Sequence, residues 1–143
     1  MKLYSKNNIV RVDDEVYFIE IVGERLRLND KKRFGISVDD DSLDAIKDIE
    51  ISDWLLDNIF KKEKEDSWIV DSLRYGTSDI PYFRIEKDES GEIYCFTRGG
   101  NFLMYMVYVR EMQNIYHLYS DNEDGDYLND DIDKKILNLY KLI

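Results

Sequence analysis

Glu15-Val16-Tyr17-Phe18-Ile19-Glu20-Ile21-Val22, then Gly23-Glu24, then Arg25-Leu26-Arg27-Leu28, is the stretch that decides the fold. Its first eight residues are dominated by β-branched and aromatic side chains, which suit a pleated, half-buried surface. Gly23-Glu24 is a turn signal, and residues 25–28 alternate with the period of two expected of a strand. Working outward, Asn8-Ile9-Val10-Arg11-Val12 is a shorter β-rich run, set off by Asp13-Asp14. Asn29-Asp30-Lys31-Lys32 turns the chain again into Arg33-Phe34-Gly35-Ile36-Ser37-Val38. Short strands joined by tight turns predict a small antiparallel β meander or an SH3-like barrel.

The rest of the chain reads as mixed. Ser52 is a natural N-cap, Asp53 suits the first turn, and Leu55, Leu56, Ile59 and Phe60 recur at helical spacing. A short amphipathic helix is expected over 53–61, closed by Lys61-Lys62, with a charged loop to Asp66. Trp68-Ile69-Val70 reads as a strand. Tyr82 to Lys87 and Glu92 to Thr97 read as a hairpin across Asp88-Glu89-Ser90-Gly91. Gly99-Gly100 breaks the chain, and a helix is expected over 103–119. A last helix is expected from about Asp130, with Ile132, Ile136, Leu139, Tyr140 and Ile143 on one face. The class is α+β: an N-terminal β meander or barrel, a helix, an antiparallel hairpin and two C-terminal helices. One domain spanning 1–143 is expected, with a β-rich subregion 1–50 and an α+β subregion 51–143.

Composition narrows the function classes. The chain is 43% hydrophobic and 13% aromatic, which is too apolar for a disordered chain despite 36% charge. Its net charge is −11. Residues 1–36 carry eight basic and six acidic side chains, so the acidic excess lies wholly in 37–143. Such a surface repels nucleic acid and anionic membranes, so neither is expected as a partner. No apolar run is long enough for a membrane helix, and the first residues lack the apolar stretch of a secretory signal. One cysteine, Cys95, suits a reducing compartment; the cytoplasm is the expected location.

Catalytic and metal motifs are sparse. With one His and one Cys, a zinc site would need carboxylates to complete it. A Cys95–His117 nucleophile pair would need the fold to bring the two together. Arg98-Gly99-Gly100-Asn101 is the nearest thing to a phosphate loop, but it lacks the lysine. Residues 120–131 invite an EF-hand alignment, yet Ser120 stands at position 1 and Asp131 at position 12, where Asp and Glu are needed. The expectation is a non-enzyme without cofactor or metal. Positive charge concentrates at Arg25, Arg27, Lys31, Lys32 and Arg33, the residues best able to hold a small anionic ligand. Arg110 is a second contributor, with Tyr108 or Tyr116 to stack on a base. The competing expectation places a basic protein on residues 121–133, where seven acids stand without a base.

Two segments carry a resemblance. Ile51-Ser52-Asp53-Trp54-Leu55-Leu56 with Phe60-Lys61-Lys62, and Val107-Tyr108-Val109-Arg110-Glu111-Met112-Gln113-Asn114-Ile115-Tyr116, resemble small proteins encoded by Bacteroidetes phages and mobile elements. The second segment is similar to their "YVHELQNLYFAL" helix signature. Arg110 stands where that signature has His, and 120–143 replaces its usual ending. The resemblance implies a phage or mobile-element setting and no particular activity. In that setting the expectation is a binding protein that antagonises a host defence, by binding a host protein or sequestering an anionic signal molecule. The alternative is an immunity-type protein that neutralises a basic toxin.

Overall fold

The computed structural model describes residues 4–22, 25–29, 35–38, 43–71, 73, 83–120 and 131–141. Lys31, Lys32, Arg33 and the loop 121–130 lie outside them, as do the loop residues 75–81. The packing divides the chain into two compact units, residues 1–49 with 122–143 and residues 50–121. The last helix, expected with the second subregion, belongs to the first unit.

The first unit is built on a five-stranded antiparallel sheet in the order β4-β3-β2-β1-β5. Its strands are β1 (Ile9–Val12), β2 (Glu15–Val22), β3 (Arg25–Asn29), β4 (Gly35–Val38) and β5 (Ile46–Asp48). Asp13 takes φ 54° in the tight turn between β1 and β2, a left-handed value that Asp tolerates better than most residues. The register sets Val10 opposite Tyr17 and Ile19 opposite Leu28. Period-two alternation therefore puts Val10, Ile19, Leu28 and Ile46 in one buried cluster, with Tyr4, Val12, Tyr17 and Leu26 packed on it. A short 3-10 turn, Leu43–Ala45, leads into β5, which returns to the free side of β1. This is the meander of the two expected architectures. No barrel closes, because no ladder joins β4 to β5 among the described residues. Helix α3 (Asp131–Lys141) packs against β1 and β2 and buries Ile132, Asp133, Ile136 and Leu137; of the face expected, Ile132 and Ile136 are buried, Leu139 and Tyr140 are half-buried, and Ile143 lies outside the described residues.

The second unit is a second antiparallel meander, ordered β10-β9-β8-β7-β6, with two helices. Helix α1 (Asp53–Ile59) starts as expected, with Ser52 Oγ accepting from Leu55 N at 3.2 Å. Seven residues are too few to be a stable helix alone. Leu55, Leu56, Ile59 and the capping Phe60 are all buried, at about 1.5–3 kcal/mol each, so tertiary packing holds it. Lys61-Lys62 does not close the helix. It opens β6 (Lys61–Lys64), which pairs with β7 (Ser67–Ile69). An edge strand exposed on all four residues has no apolar alternation to betray it in the sequence.

The expected hairpin forms as β8 (Phe83–Lys87) and β9 (Tyr94–Arg98). Asp88 Oδ1 accepts from Ser90 Oγ and Ser90 N at 2.6 and 3.1 Å, and Gly91 takes φ 75°. The helix expected over 103–119 is half strand: β10 (Asn101–Met106) pairs with β9, and α2 starts only at Val109 and runs to Tyr119. Gly99 and Gly100 have φ 58° and 82°. Two successive positive φ values are what a two-residue turn of the type I′ kind requires, and glycine supplies them without strain. The apolar run Phe102-Leu103-Met104-Tyr105-Met106 fits either structure by itself. Gly-Gly between two such runs was the deciding signal.

A candidate docking face on the second unit

Both helices of the second unit lie on the same side of its sheet. Tyr94 Oη donates to Asp53 Oδ1 at 2.7 Å, and Trp68 Nε1 donates to Asp57 Oδ1 at 2.8 Å. Asp53 and Asp57 stand one helical turn apart, so one face of α1 is bolted to the strands by two carboxylates. Lys87 Nζ adds a contact to Asp53 Oδ2 at 2.6 Å, and Lys62 lies over the Trp68 ring at 5.6 Å. Burial alone would raise the Asp53 carboxyl, but the hydrogen bonds from Lys87 and Tyr94 outweigh it and hold it below its ordinary value. Burial, and then the Asp53 carboxylate, push the Tyr94 phenol upward. A phenol held protonated against a carboxylate is a structural tie, not a poised base. Helix α2 covers the same side. The Tyr119 ring lies 5.3 Å from Phe83 and 6.4 Å from Phe96, and Arg98 sits over it at 5.3 Å.

Where β10 meets α2 the cover is incomplete. Met104 stands opposite Phe96 in the ladder and so faces the helix side. With Glu111, Asn114, Ile115 and Leu118 it lines a shallow open groove. Leu118 is 72% exposed. Glu111 is the only acid between Ile93 and Ser120. Its Oε1 accepts from Val107 N at 3.1 Å and Tyr108 N at 3.0 Å, closing the start of α2 from within the helix. The groove therefore lies in the longest acid-poor part of an acidic chain.

The opposite side of β10 carries a second apolar feature. Residues 102 and 105 would face opposite sides of a regular strand. The register shift between Phe102 and Met104 inserts one residue, and both rings come to the same side, 4.5 Å apart. Phe102 is 53% exposed and Tyr105 59%. Sequence reading missed both features because it placed this stretch in a helix.

The residues singled out in the sequence are dispersed. Arg25 and Arg27 both belong to β3, in the first unit; Arg27 is half-buried and stands across the ladder from Glu20. Its Nε is buried without a hydrogen-bond partner among the described residues. Glu20 in turn accepts from Asn29 Nδ2. Arg110 and Tyr108 are in the second unit, with the guanidinium 5.6 Å from the ring centre. Tyr116 is only 3% exposed, so it is a core ring and has no face to offer a base. Asp133, one of the seven acids in 121–133, is fully buried. Ser120 Oγ donates to His117 O at 3.3 Å as the end of α2. Arg98-Gly99-Gly100-Asn101 is the β9–β10 turn rather than a phosphate loop. Cys95 is half-buried on the side of β9 away from α2, which carries His117, so the two form no pair. Burial, then Asp88 and Glu86, raise its thiol, the opposite of an activated nucleophile. Among the described residues no three His, Cys, Asp or Glu side chains converge on a metal position, and no helix is long and apolar enough to cross a membrane.

No family model matches this chain, nor does any curated protein or any solved structure.

Proposed function

We propose that this is a non-catalytic binding protein, and that the groove between β10 and α2 is where it holds another protein. The carrying observation is Leu118, a large apolar side chain left 72% exposed beside Met104 and Ile115. An exposed apolar patch rimmed by polar groups such as Asn114 is the usual mark of a protein-docking surface. The setting proposed with it is the phage or mobile element that the helix signature resembles, and the target is a host defence protein in the cytoplasm. A small anionic ligand is the alternative occupant in that setting; the orphaned Nε of Arg27 is the observation that favours it.

The second reading is immunity against a basic toxin. The β6–β7 turn and the β8–β9 hairpin lie at the same end of the sheet, where Lys87 N donates to Asp66 O at 3.0 Å. That end gathers Glu65, Asp66, Asp88, Glu89 and Glu92. The two readings separate in a pull-down from host lysate at low and high salt. Capture through the groove survives salt and is lost in Leu118→Asp. Capture through the acidic end weakens with salt, survives Leu118→Asp and is lost when Glu65, Asp66, Glu89 and Glu92 are neutralised. Capture that ignores both sets of substitutions overturns both readings.

A further inference from the structure

We infer that the outer edge of β10 pairs, antiparallel and about a two-fold axis, with β10 of a second copy of this chain. The second-unit sheets of the two copies then join into one, with Phe102 of one copy beside Tyr105 of the other.

The two edges of this sheet are built differently. β6 is Lys61-Lys62-Glu63-Lys64, charged and exposed at every residue. Lysine on an edge strand is a standard device against unwanted strand pairing, because an incoming strand would have to strip its water or meet its charge. β10 is Asn101-Phe102-Leu103-Met104-Tyr105-Met106, with no charge, no proline and two exposed aromatic rings. Its outer N–H and C=O groups are a template of the kind that natural proteins cover or guard. Beyond Met106 the template ends: Ile51 N donates to Val107 O at 2.8 Å, and Glu50 bridges Tyr108. Among the described residues the open length is therefore β10 itself.

A local absence of acid and a self-complementary register select a second copy as the occupant. A net charge of −11 makes most ways of bringing two copies together repulsive. The stretch Ile93–Arg110 holds no acid and two arginines, Arg98 and Arg110. A seam along β10 sets this stretch of one copy against the same stretch of the other, with no acid of either strand facing an acid. The bulge contributes the side-chain complement. Because Phe102 and Tyr105 share a side, a register centred between Leu103 and Met104 brings two Phe–Tyr pairs together across the seam, and aromatic cross-strand pairs are among the stabilising ones. Each ring leaves water in the process. This seam lies on the edge and on the side of the sheet opposite the groove, so it goes beyond the docking reading and leaves the groove open.

The test is sedimentation equilibrium of the intact chain as a function of concentration. The expected mass is twice 17.1 kDa, with dissociation on dilution. Added salt tightens the dimer, since it screens the overall repulsion and leaves the apolar seam intact. Phe102→Lys with Tyr105→Lys sets lysine against lysine across the axis and yields monomer. Phe102→Lys with Tyr105→Glu sets lysine against glutamate and recovers association by about tenfold over the double lysine variant. Leu118→Asp leaves the dimer unchanged while removing partner capture, so failure of the groove reading and failure of the seam are separate results. A wild-type chain that stays monomeric at every concentration overturns the inference. So does a double lysine variant that still dimerises, or a Lys/Glu variant no better than Lys/Lys.

Discussion

The edges β6 and β10 bound the same sheet, each carries a register shift, and each is followed or preceded by a helix on the same side. They differ in what the chain spends its side chains on. In β6 Lys62 lies over Trp68, and the bulged Glu63 reaches Arg84 Nε at 3.2 Å. Lys62 and Glu63 are thus tied back to their own unit, while Lys61 and Lys64 stay exposed along the edge and guard it against an incoming strand. In β10 the bulge frees two rings instead. The same backbone irregularity thus serves opposite ends: at one edge it lets Glu63 reach Arg84 of its own sheet, and at the other it turns two aromatic rings outward. What distinguishes the two edges is their side chains: both present backbone groups to an incoming strand, and only β6 guards them with charge.

Two phenylalanines near these edges sharpen the comparison, and they bracket the expected effects. Phe60 joins α1 to β6 and is 7% exposed. Phe60→Ala is expected to cost about 3–5 kcal/mol in urea unfolding, as for other buried aromatic truncations. A cost below about 1 kcal/mol would mean that the helix face is not packed as described.

The tie between Asp53, Tyr94 and Lys87 should give an intermediate effect. Hydrogen bonds to a charged group are worth about 1.5–3 kcal/mol when buried, and the 44% exposure of the Asp53 side chain reduces this, so Asp53→Asn should cost about 1 kcal/mol at neutral pH. The carboxyl is held below its ordinary value of 3.8 in the folded state. Its contribution is therefore complete above that value and fades as pH falls through the folded pKa. Wild type and Asp53→Asn should converge in stability in strong acid. Lys87 is held above its ordinary 10.5, first by the hydrogen bond to Asp53, so its side of the tie is lost only in alkali beyond that value. A stability gap that stays constant from neutral pH into acid would mean that the Asp53 bonds are absent in solution.

The smallest expected effect is that of Phe102→Ala on the monomer. At 53% exposure it should change unfolding stability by less than about 0.5 kcal/mol, however strongly it changes association. A loss of several kcal/mol would show that the ring is covered by its own chain, and the contrast between the edges would collapse.

Legibility in the sequence followed the side chains that meet something. The run from Glu15 to Leu28 was readable because its alternating residues face a core in one direction only. The start of α1 was readable because Ser52 is a cap and the buried residues recur at helical spacing. β6 and β10 were not readable. The first has no buried side chain, and the second is apolar without a break from Phe102 to Met106, so neither carries a period. The groove depends on Met104 lying on a strand and Leu118 on a helix, and so it vanished with the strand. The charged residues chosen from the sequence were conspicuous by type, yet the fold distributes them between two units and buries Tyr116 and Asp133.

Both tryptophans of the chain belong to the second unit, and they sit in contrasting surroundings. Trp68 is fully buried with its indole N–H held by Asp57, whereas Trp54 is 43% exposed on α1. The emission of the protein is thus a sum of a blue-shifted, quencher-resistant component and a red-shifted component that iodide or acrylamide removes first. Excitation at the red edge of absorption sees only the second unit, while the tyrosines of the first unit, Tyr4, Tyr17 and Tyr140 among them, stay dark. A melting curve followed by indole emission and one followed by far-ultraviolet dichroism consequently sample different parts of the molecule. Their coincidence or separation measures whether the two units unfold as one cooperative body.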